Sequence, residues 1–536
     1  MKLKYTSLFT IGILLMFGSC KEEKTVFENP YEGAKEPLGI VTNAQQVPIP
    51  ESGIAGTEVT IAATGLLKHK DKLQFQFNGE DAQIVSVTET GIKVKVPAKA
   101  SSGITSFVVD GQLVFGPNFT VNGKVKIDPT FATTIGTNGA VLRAIPLTGG
   151  NLMLLGDFTN YDNRGLVRPI NRITRVFANG AWDRSFLSGT AAHGTVTSLA
   201  SLGGFFYIAG NFGGYAQQGG INRITKIAPS GILDTMEIKT YLEKSRYVAR
   251  FNGGVNNTIN NVYAFNGKII AVGNFTYYLR RRFDKPTVKY QDSIITDSTD
   301  VRQLARFDEN GKLDSTWRFD KMAPGYGGTL GKSLPGGNGP INSLMHEDGK
   351  ILCFGQFSTF DNVNKGRIVR LTPDGMIDPT FNAGGAGADD FIYNVTYDKK
   401  SNKYIAVGRF RTYNGTPSLN MVRLNYDGTV DQSFSPKIFT AGQPYYAKIL
   451  SDGLIVVSGD FRTYDTVVRN GFMILNPDGS LADGYNTIGN VAGSTQKFFD
   501  VYETVSADNK RALLIMGSFY SFDNKPRNNI VRVTLE

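Results

Sequence analysis

The sequence predicts an all-β chain: a small N-terminal β-sandwich followed by a seven-bladed β-propeller. Three observations carry that expectation. The 536 residues include 61 Gly and 58 Phe plus Tyr, and 41% are hydrophobic. That composition favours strands joined by tight turns, supplies enough apolar surface for packed cores, and excludes wholesale disorder, collagen and a disulfide-stapled mini-fold. Between residues 37 and 122, short alternating stretches (Gly56 to Ile61, Leu73 to Phe77, Ile92 to Val96) are separated by Gly, Asn and Asp, the signature of short sandwich strands. From there on, the tripeptide Gly-x-Phe ends an apolar run seven times, at Gly156, Gly210, Gly273, Gly355, Gly408, Gly459 and Gly517. A period of this length marks a repeat architecture.

Residues 1–19 read as a signal peptide. Lys2 and Lys4 precede the apolar stretch Leu8 to Phe17, which is too short to span a bilayer as a helix. Gly18-Ser19-Cys20 resembles a bacterial lipobox, which implies cleavage before Cys20 and acylation of its thiol. Lys21-Glu22-Glu23-Lys24, directly behind it, resembles the surface-export signal of Bacteroidota lipoproteins. Together these imply an outer-membrane protein that is lipid-anchored and faces the medium, with residues 20–36 as anchor and polar linker. The other cysteine, Cys353, lies in the apolar run Lys350 to Gly355 and is expected to be a small buried hydrophobe. The formal net charge is +10, and losing residues 1–19 leaves +8. The basic residues are scattered singly, so no nucleic-acid partner is expected.

Residues 37–122 resemble an IPT/TIG domain, the immunoglobulin-like module. The residues that carry the resemblance are Gly53 to Gly56 before Val59-Thr-Ile61, then Phe75 to Gly79, Ile92 to Pro97, Gly103, and Gly116-Pro-Asn-Phe119. The resemblance implies a spacer or docking module.

Residues 123–536 contain the repeats, spaced by 54, 63, 82, 53, 51 and 58 residues. Each Gly-x-Phe is followed by a strand of alternating basic and apolar residues, such as Asn171 to Arg175 or Arg367 to Leu371. In four of the units an Asn-Gly or Asp-Gly turn and an Asp-x-x-aromatic element then follow, at Asn179 to Phe186, Asn310 to Trp317, Asp374 to Phe381 and Asp427 to Phe434. Asn-Gly and Asp-Gly suit the positive-φ geometry of tight turns. A fourth strand precedes each apolar run. Four-stranded units that cannot bury both faces alone do so by stacking in a ring. The units are similar to the delta-60 repeat, a propeller-like family whose role is largely uncharacterised. Asp128-Pro-Thr-Phe131 stands ahead of the first unit, while the chain ends at Val533 to Glu536 without its own copy. The N-terminal strand is therefore expected to close the ring.

Residues that recur are expected to be scaffold. These include Tyr161, Phe360, Tyr413, Tyr464 and Phe522, two or three positions after the Gly-x-Phe phenylalanine. Departures from the repeat are candidate sites. The 82-residue interval contains the loop Thr276 to Val301, with Tyr277, Tyr278, Arg280, Arg282 and Tyr290, and the crossing Arg318 to Pro340 with Tyr326. Strand alternation places these, and the crossing Thr235 to Thr258, on one face. Tyr445 and Tyr446, in the crossing into the sixth unit, are candidates for the same face. Tyrosine beside arginine suits sugar stacking and protein contacts alike. The alternative is that the insertions fold back and shield the propeller edge.

Catalysis has little material. Histidine occurs only at positions 69, 193 and 346. Asp314, Asp378 and Asp431 recur at turns and are expected to cap backbone N–H groups. Asp374 to Asp378 lacks the ligand ladder of a calcium loop, and no nucleophile elbow, P-loop, zinc motif or dinucleotide fingerprint stands out. No metal and no cofactor is expected. The anchor, export tag, spacer and propeller together resemble the surface lipoproteins that accompany TonB-dependent, Sus-type importers. That resemblance implies a non-enzymatic accessory of nutrient uptake that binds a glycan or docks on the importer through the insertion face of the propeller. It implies a TonB-dependent transporter and its surface lipoprotein as partners, and an oligosaccharide or polysaccharide as the candidate ligand. The alternatives are a purely structural subunit of an outer-membrane complex and a propeller polysaccharide hydrolase or lyase.

Overall fold

The computed structural model describes residues 35–239, 245–283, 295–325 and 330–536. Cys20, most of the linker, Tyr290 and Tyr326 lie outside the described residues. Residues 40–536 form one compact unit. Within it the described chain is all-β apart from a single 3-10 turn at Leu67–His69.

Two sheets make the N-terminal sandwich. One contains Val41–Thr42, Glu58–Thr64, Gly91–Lys95 and Gln83–Val87; the other contains Ser52–Gly53, Gln112–Val121, Gly103–Val109, Leu73–Phe77 and Glu80–Asp81. Alternation does the work expected of it: along Glu58–Thr64 every second residue is buried. Phe75 meets Phe77 and Phe107 edge-on at 5.4 and 5.1 Å, and Phe77 meets Phe119 at 5.1 Å, the geometry aromatic quadrupoles favour.

The rest of the chain is a β-propeller. Among the described residues, seven antiparallel meander sheets follow one another, each with its Gly-x-Phe run as the middle strand. The first is Val141–Pro146, Leu152–Gly156 and Ile173–Val176; the last is built on Ala492–Val505, Arg511–Phe522 and Ile530–Leu535. The middle strands are buried on both faces because each packs between two neighbours. Leu352 and Phe354 pack with Tyr404 and Ala406, while Ile351 and Cys353 pack with Ile270 and Val272. Cys353 is fully buried, as expected, and burial pushes its thiol up to about 12. Leu514 and Met516 of the last sheet pack with Leu152 and Leu154 of the first, so the ring is closed.

Closure uses the N-terminal strand. Val125–Ile127 pairs antiparallel with Ile530–Leu535, Val125 opposite Leu535 and Ile127 opposite Val533. The following Asp128 binds Arg532 at 2.5 Å, 404 positions away. The same contact recurs inside other sheets as Arg175–Asp183, Arg306–Asp314, Arg370–Asp378 and Arg423–Asp431, at 2.6 to 2.9 Å. In each, the other carboxylate oxygen accepts the N–H and hydroxyl of the Ser or Thr two residues on, as at Asp378 with Thr380. The recurrent aspartates thus cap their turns, and they also pair the basic residue of the preceding strand.

Candidate functional site

Each middle strand ends, at its glycine, opposite the start of the innermost strand of its sheet: Gly156 faces Val141 and Gly408 faces Ile392. The Gly-x-Phe loops and the crossings between sheets therefore share one end of the ring. The three insertions project from this end as β-hairpin arms. They are Thr235–Lys239 with Ser245–Ala249, Tyr277–Arg281 with Thr296–Asp300, and Phe319–Pro324 with Leu330–Ser333. The second and third arms touch, and the Arg302 N–H donates to Ser333 Oγ at 2.7 Å. The first and second share a small pocket lined by Arg246, Val248, Arg281 and Phe283. Burial, and then the charge of Arg246, lower the pKa of Arg281 there.

The sequence candidates fare differently. Tyr277 is half-buried and Arg280 exposed on the second arm. Arg282 is engaged within that arm, 2.9 Å from Asp297. Tyr278 must be reassigned: it stands three residues after Phe275, is 6% exposed, and donates its hydroxyl to the Gly311 carbonyl at 2.9 Å. Tyr161, Tyr215, Tyr413 and Tyr464 make the same bond to Gly180, Gly231, Gly428 and Gly479. Tyr278 is therefore a scaffold aromatic. Tyr446 is likewise a wall residue, 1% exposed, its hydroxyl accepting the Val501 N–H at 3.0 Å.

Tyr445 stands apart from the arms. It is half-buried and stacks on Tyr393 of the neighbouring sheet, ring centroids 4.9 Å apart and planes 23° from parallel. Gln443 Nε2 donates to both phenol oxygens, at 2.9 and 3.2 Å. Nearby, Phe391 lies under the guanidinium groups of Arg409 and Arg367, at 4.8 and 5.5 Å from its ring centre. Asp390 pairs with Arg409 at 2.6 Å. The result is an aromatic and arginine platform across two adjacent sheets.

The ring axis carries a second feature. A cavity of about 390 Å3 is lined by Arg143, Tyr263, Asn342, Asn394, Tyr446 and Asp500, supplied by the innermost strands of six sheets. Six of the seven innermost strands shift register near this level, for example between Ile392 and Asn394 and between Pro444 and Tyr446. A bulge sets two residues against one and re-aims the side chains beside it. Tyr393 and Tyr445 are the extra residues in their strands. Arg143 donates to Asn261 Oδ1 across the axis, the Tyr263 and Ser343 hydroxyls are hydrogen-bonded at 3.0 Å, and the buried Asn394 Oδ1 has no partner. This layer lies outside the residues the repeat pattern singles out. Its signal is a polar or tyrosine residue ten to seventeen positions ahead of the Gly-x-Phe in six of the repeats, whose identity changes from repeat to repeat.

Chemically, both features offer hydrogen-bond donors, acceptors and ring faces. Among the described residues no group of three His, Cys, Asp or Glu side chains could hold a metal ion. His346, the one buried histidine, bonds Tyr404 at 2.8 Å inside an aromatic cluster.

Residues 16–117 match the model of a domain of unknown function (DUF5008). Residues 346–381, 400–434 and 450–481 match that of a domain of unknown function described as a β-propeller (DUF5122). No curated protein matches the chain. Among solved structures, the chain is similar to the WD40 β-propeller domain of Doa1, at 12% identity over 76% of this chain and 96% of that one, TM-score 0.41. It is also similar to an auxiliary nutrient binding protein from Bacteroides thetaiotaomicron, at 12% identity over 92% and 98%, TM-score 0.30. A second auxiliary nutrient binding protein, from Bacteroides ovatus, gives 12% identity over the same shares, TM-score 0.27.

Proposed function

We propose that this protein is a non-enzymatic surface lipoprotein of the outer membrane, anchored through Cys20, in which an IPT/TIG-like sandwich and a linker carry a seven-bladed propeller. It serves a TonB-dependent, Sus-type importer by binding a glycan at the Gly-x-Phe end of the ring. The observation that carries the reading is the Tyr393–Tyr445 stack with Gln443. Stacked rings present a flat apolar face to sugar C–H groups, while the amide, Arg409 and Asp390 supply hydrogen-bonding groups beside it. The lipobox and export tag support the location, and the scarcity of histidine supports a binding role.

The test is retention on polysaccharide affinity gels across a broad panel. The wild-type chain is retarded on at least one gel, and Tyr393→Ala/Tyr445→Ala weakens that retention about tenfold, as expected for losing two stacking contacts. Unchanged retention in the double variant removes the platform from the site; no retention on any gel counts against glycan binding altogether.

A second reading, docking on a protein partner, is favoured by exposed apolar side chains on two arms. Tyr247, Met322 and Leu330 are 61%, 78% and 71% exposed, and such residues are common at protein interfaces. Co-purification of a TonB-dependent transporter that depends on these side chains and is indifferent to added glycan would support it.

A further inference from the structure

Five arginines are buried among the described residues: Arg318, Arg370, Arg423, Arg469 and Arg532. Four are neutralised by an aspartate, Asp361, Asp378, Asp431 and Asp128 respectively, at 2.5 to 2.8 Å. Arg469 is the exception. It is 4% exposed and lies where the Lys99 segment of the sandwich meets the propeller. Its Nη1 donates to the carbonyls of Lys99 and Val468 at 3.1 and 2.5 Å, and its Nε meets no acceptor. Glu80 acts on it from a distance, but that carboxylate is bonded to the Val468 N–H at 2.6 Å. Burial dominates and brings the guanidinium down to about 10, so it keeps its charge at neutral pH. Glu80 thus opposes burial only in part, and among the described residues no carboxylate forms an ion pair with the guanidinium. A buried charge without an ion-pair partner in contact is costly.

The same side chain borders a cavity of about 180 Å3 between sandwich and propeller, whose other charged groups are Lys99, Lys437, Asp465 and Asp483. All four of these are exposed. The buried wall is therefore positive and the rim mixed. The volume equals that of several waters at about 30 Å3 each, room for one oxyanion group. We propose that this cavity is an anion site, in which Arg469, assisted by Lys99 and Lys437, binds a carboxylate, sulfate or phosphate group and so completes the junction of the two domains. The site is separate from the tyrosine platform and does not rest on the glycan reading.

Thermal unfolding of the full-length protein tests it, in chloride and with increasing sodium sulfate or sodium glucuronate at constant ionic strength. Exclusion of sulfate from the surface raises the midpoint without saturating, whereas occupancy of a site adds a saturable component. The wild-type chain shows that component. A preference for sulfate identifies a free inorganic ion as the source, and a preference for glucuronate an acid group carried on a sugar. Arg469→Met abolishes saturation and unfolds in chloride no earlier than wild type, because an apolar side chain replaces an unpaired charge. Lys99→Ala/Lys437→Ala alters exposed residues only; it folds normally and raises the half-saturating concentration about tenfold. The double lysine variant decides the matter if Arg469→Met does not fold. Absence of a saturable component with both anions overturns the proposal, as does a component that both variants retain unchanged.

Discussion

His346 illustrates how a single side chain's surroundings set its chemistry. Its ring meets those of Tyr397, Tyr404 and Tyr426 edge-on at 4.6, 5.6 and 5.3 Å. Burial lowers its pKa to about 4, the charges of Arg370 and Lys350 add to that, and Asp348 opposes it. The folded state therefore holds a neutral ring, while an unfolded histidine protonates below about 6.5. Between those values the unfolded state binds more protons, so stability rises with pH from about 4 to 6.5, by up to about 3 kcal/mol. Depressed carboxylates such as Asp378, where burial is outweighed by Thr380 and Arg370, act in a lower window: their contribution is lost only as pH falls below the ordinary carboxylate range. Asp523, raised by burial, acts in the opposite sense to the histidine. The measurement is thus a comparison of urea midpoints at pH 5 and 7 for wild type and His346→Gln. The variant loses most of the difference, and an equal difference in both would show that His346 is not its source.

At the scale of elements, the outer turn of each sheet shows why its glycine is needed. Gly428 has φ of +85°, its carbonyl accepts the Tyr413 hydroxyl at 3.1 Å, and an added Cβ would approach the Phe381 ring to 2.8 Å. Gly415 has a similar φ of +77° with open space around it. Gly415→Ala is expected to cost about 1 kcal/mol from backbone strain alone, and Gly428→Ala about 3 kcal/mol because the neighbouring sheet's aromatic must also shift. Urea unfolding at constant m-value checks the pair, and equal losses would dismiss the close approach. These turns were legible because their chemistry is local: Asp427-Gly428 says what backbone it needs. The middle strands were legible because burial on both faces makes them continuous apolar runs. Tyr278 reads as part of an insertion because it lies within the long arm, which hides its fixed offset from Phe275. The axial layer escaped because a bulge sets the direction of Asn394 and Tyr393, and nothing in the local sequence marks the bulge. The unpaired state of Arg469 escaped for a different reason. It depends on the sandwich meeting the propeller, a contact between distant segments.

For the whole molecule, the decisive interaction is the one that joins its ends. Arg532 is enclosed, its Nε on Asp128, its Nη1 on the Ala178 carbonyl at 2.8 Å and its Nη2 on Thr130 at 3.1 Å. Burial alone would raise the Asp128 pKa, but the Thr130 hydroxyl and N–H, together with Arg532, hold it below the ordinary value. Asp128→Ala leaves the guanidinium buried without a counter-charge, a loss of about 3–5 kcal/mol. Asp378→Ala removes the equivalent partner of Arg370 within one sheet and costs a similar amount. Location distinguishes them. Losing Asp128 frees the Val125–Ile127 strand and, with it, the seam where Leu514 and Met516 pack on Leu152 and Leu154. Native-state hydrogen exchange should therefore accelerate first in the first and last sheets of Asp128→Ala, and around Ile368–Leu371 in Asp378→Ala. Asp128→Ala/Arg532→Met, which removes both charges, recovers much of the lost stability. If exchange in Asp128→Ala rises evenly around the ring instead, the seam opens no more readily than any other interface, and closure by the N-terminal strand is not what limits the stability of the propeller.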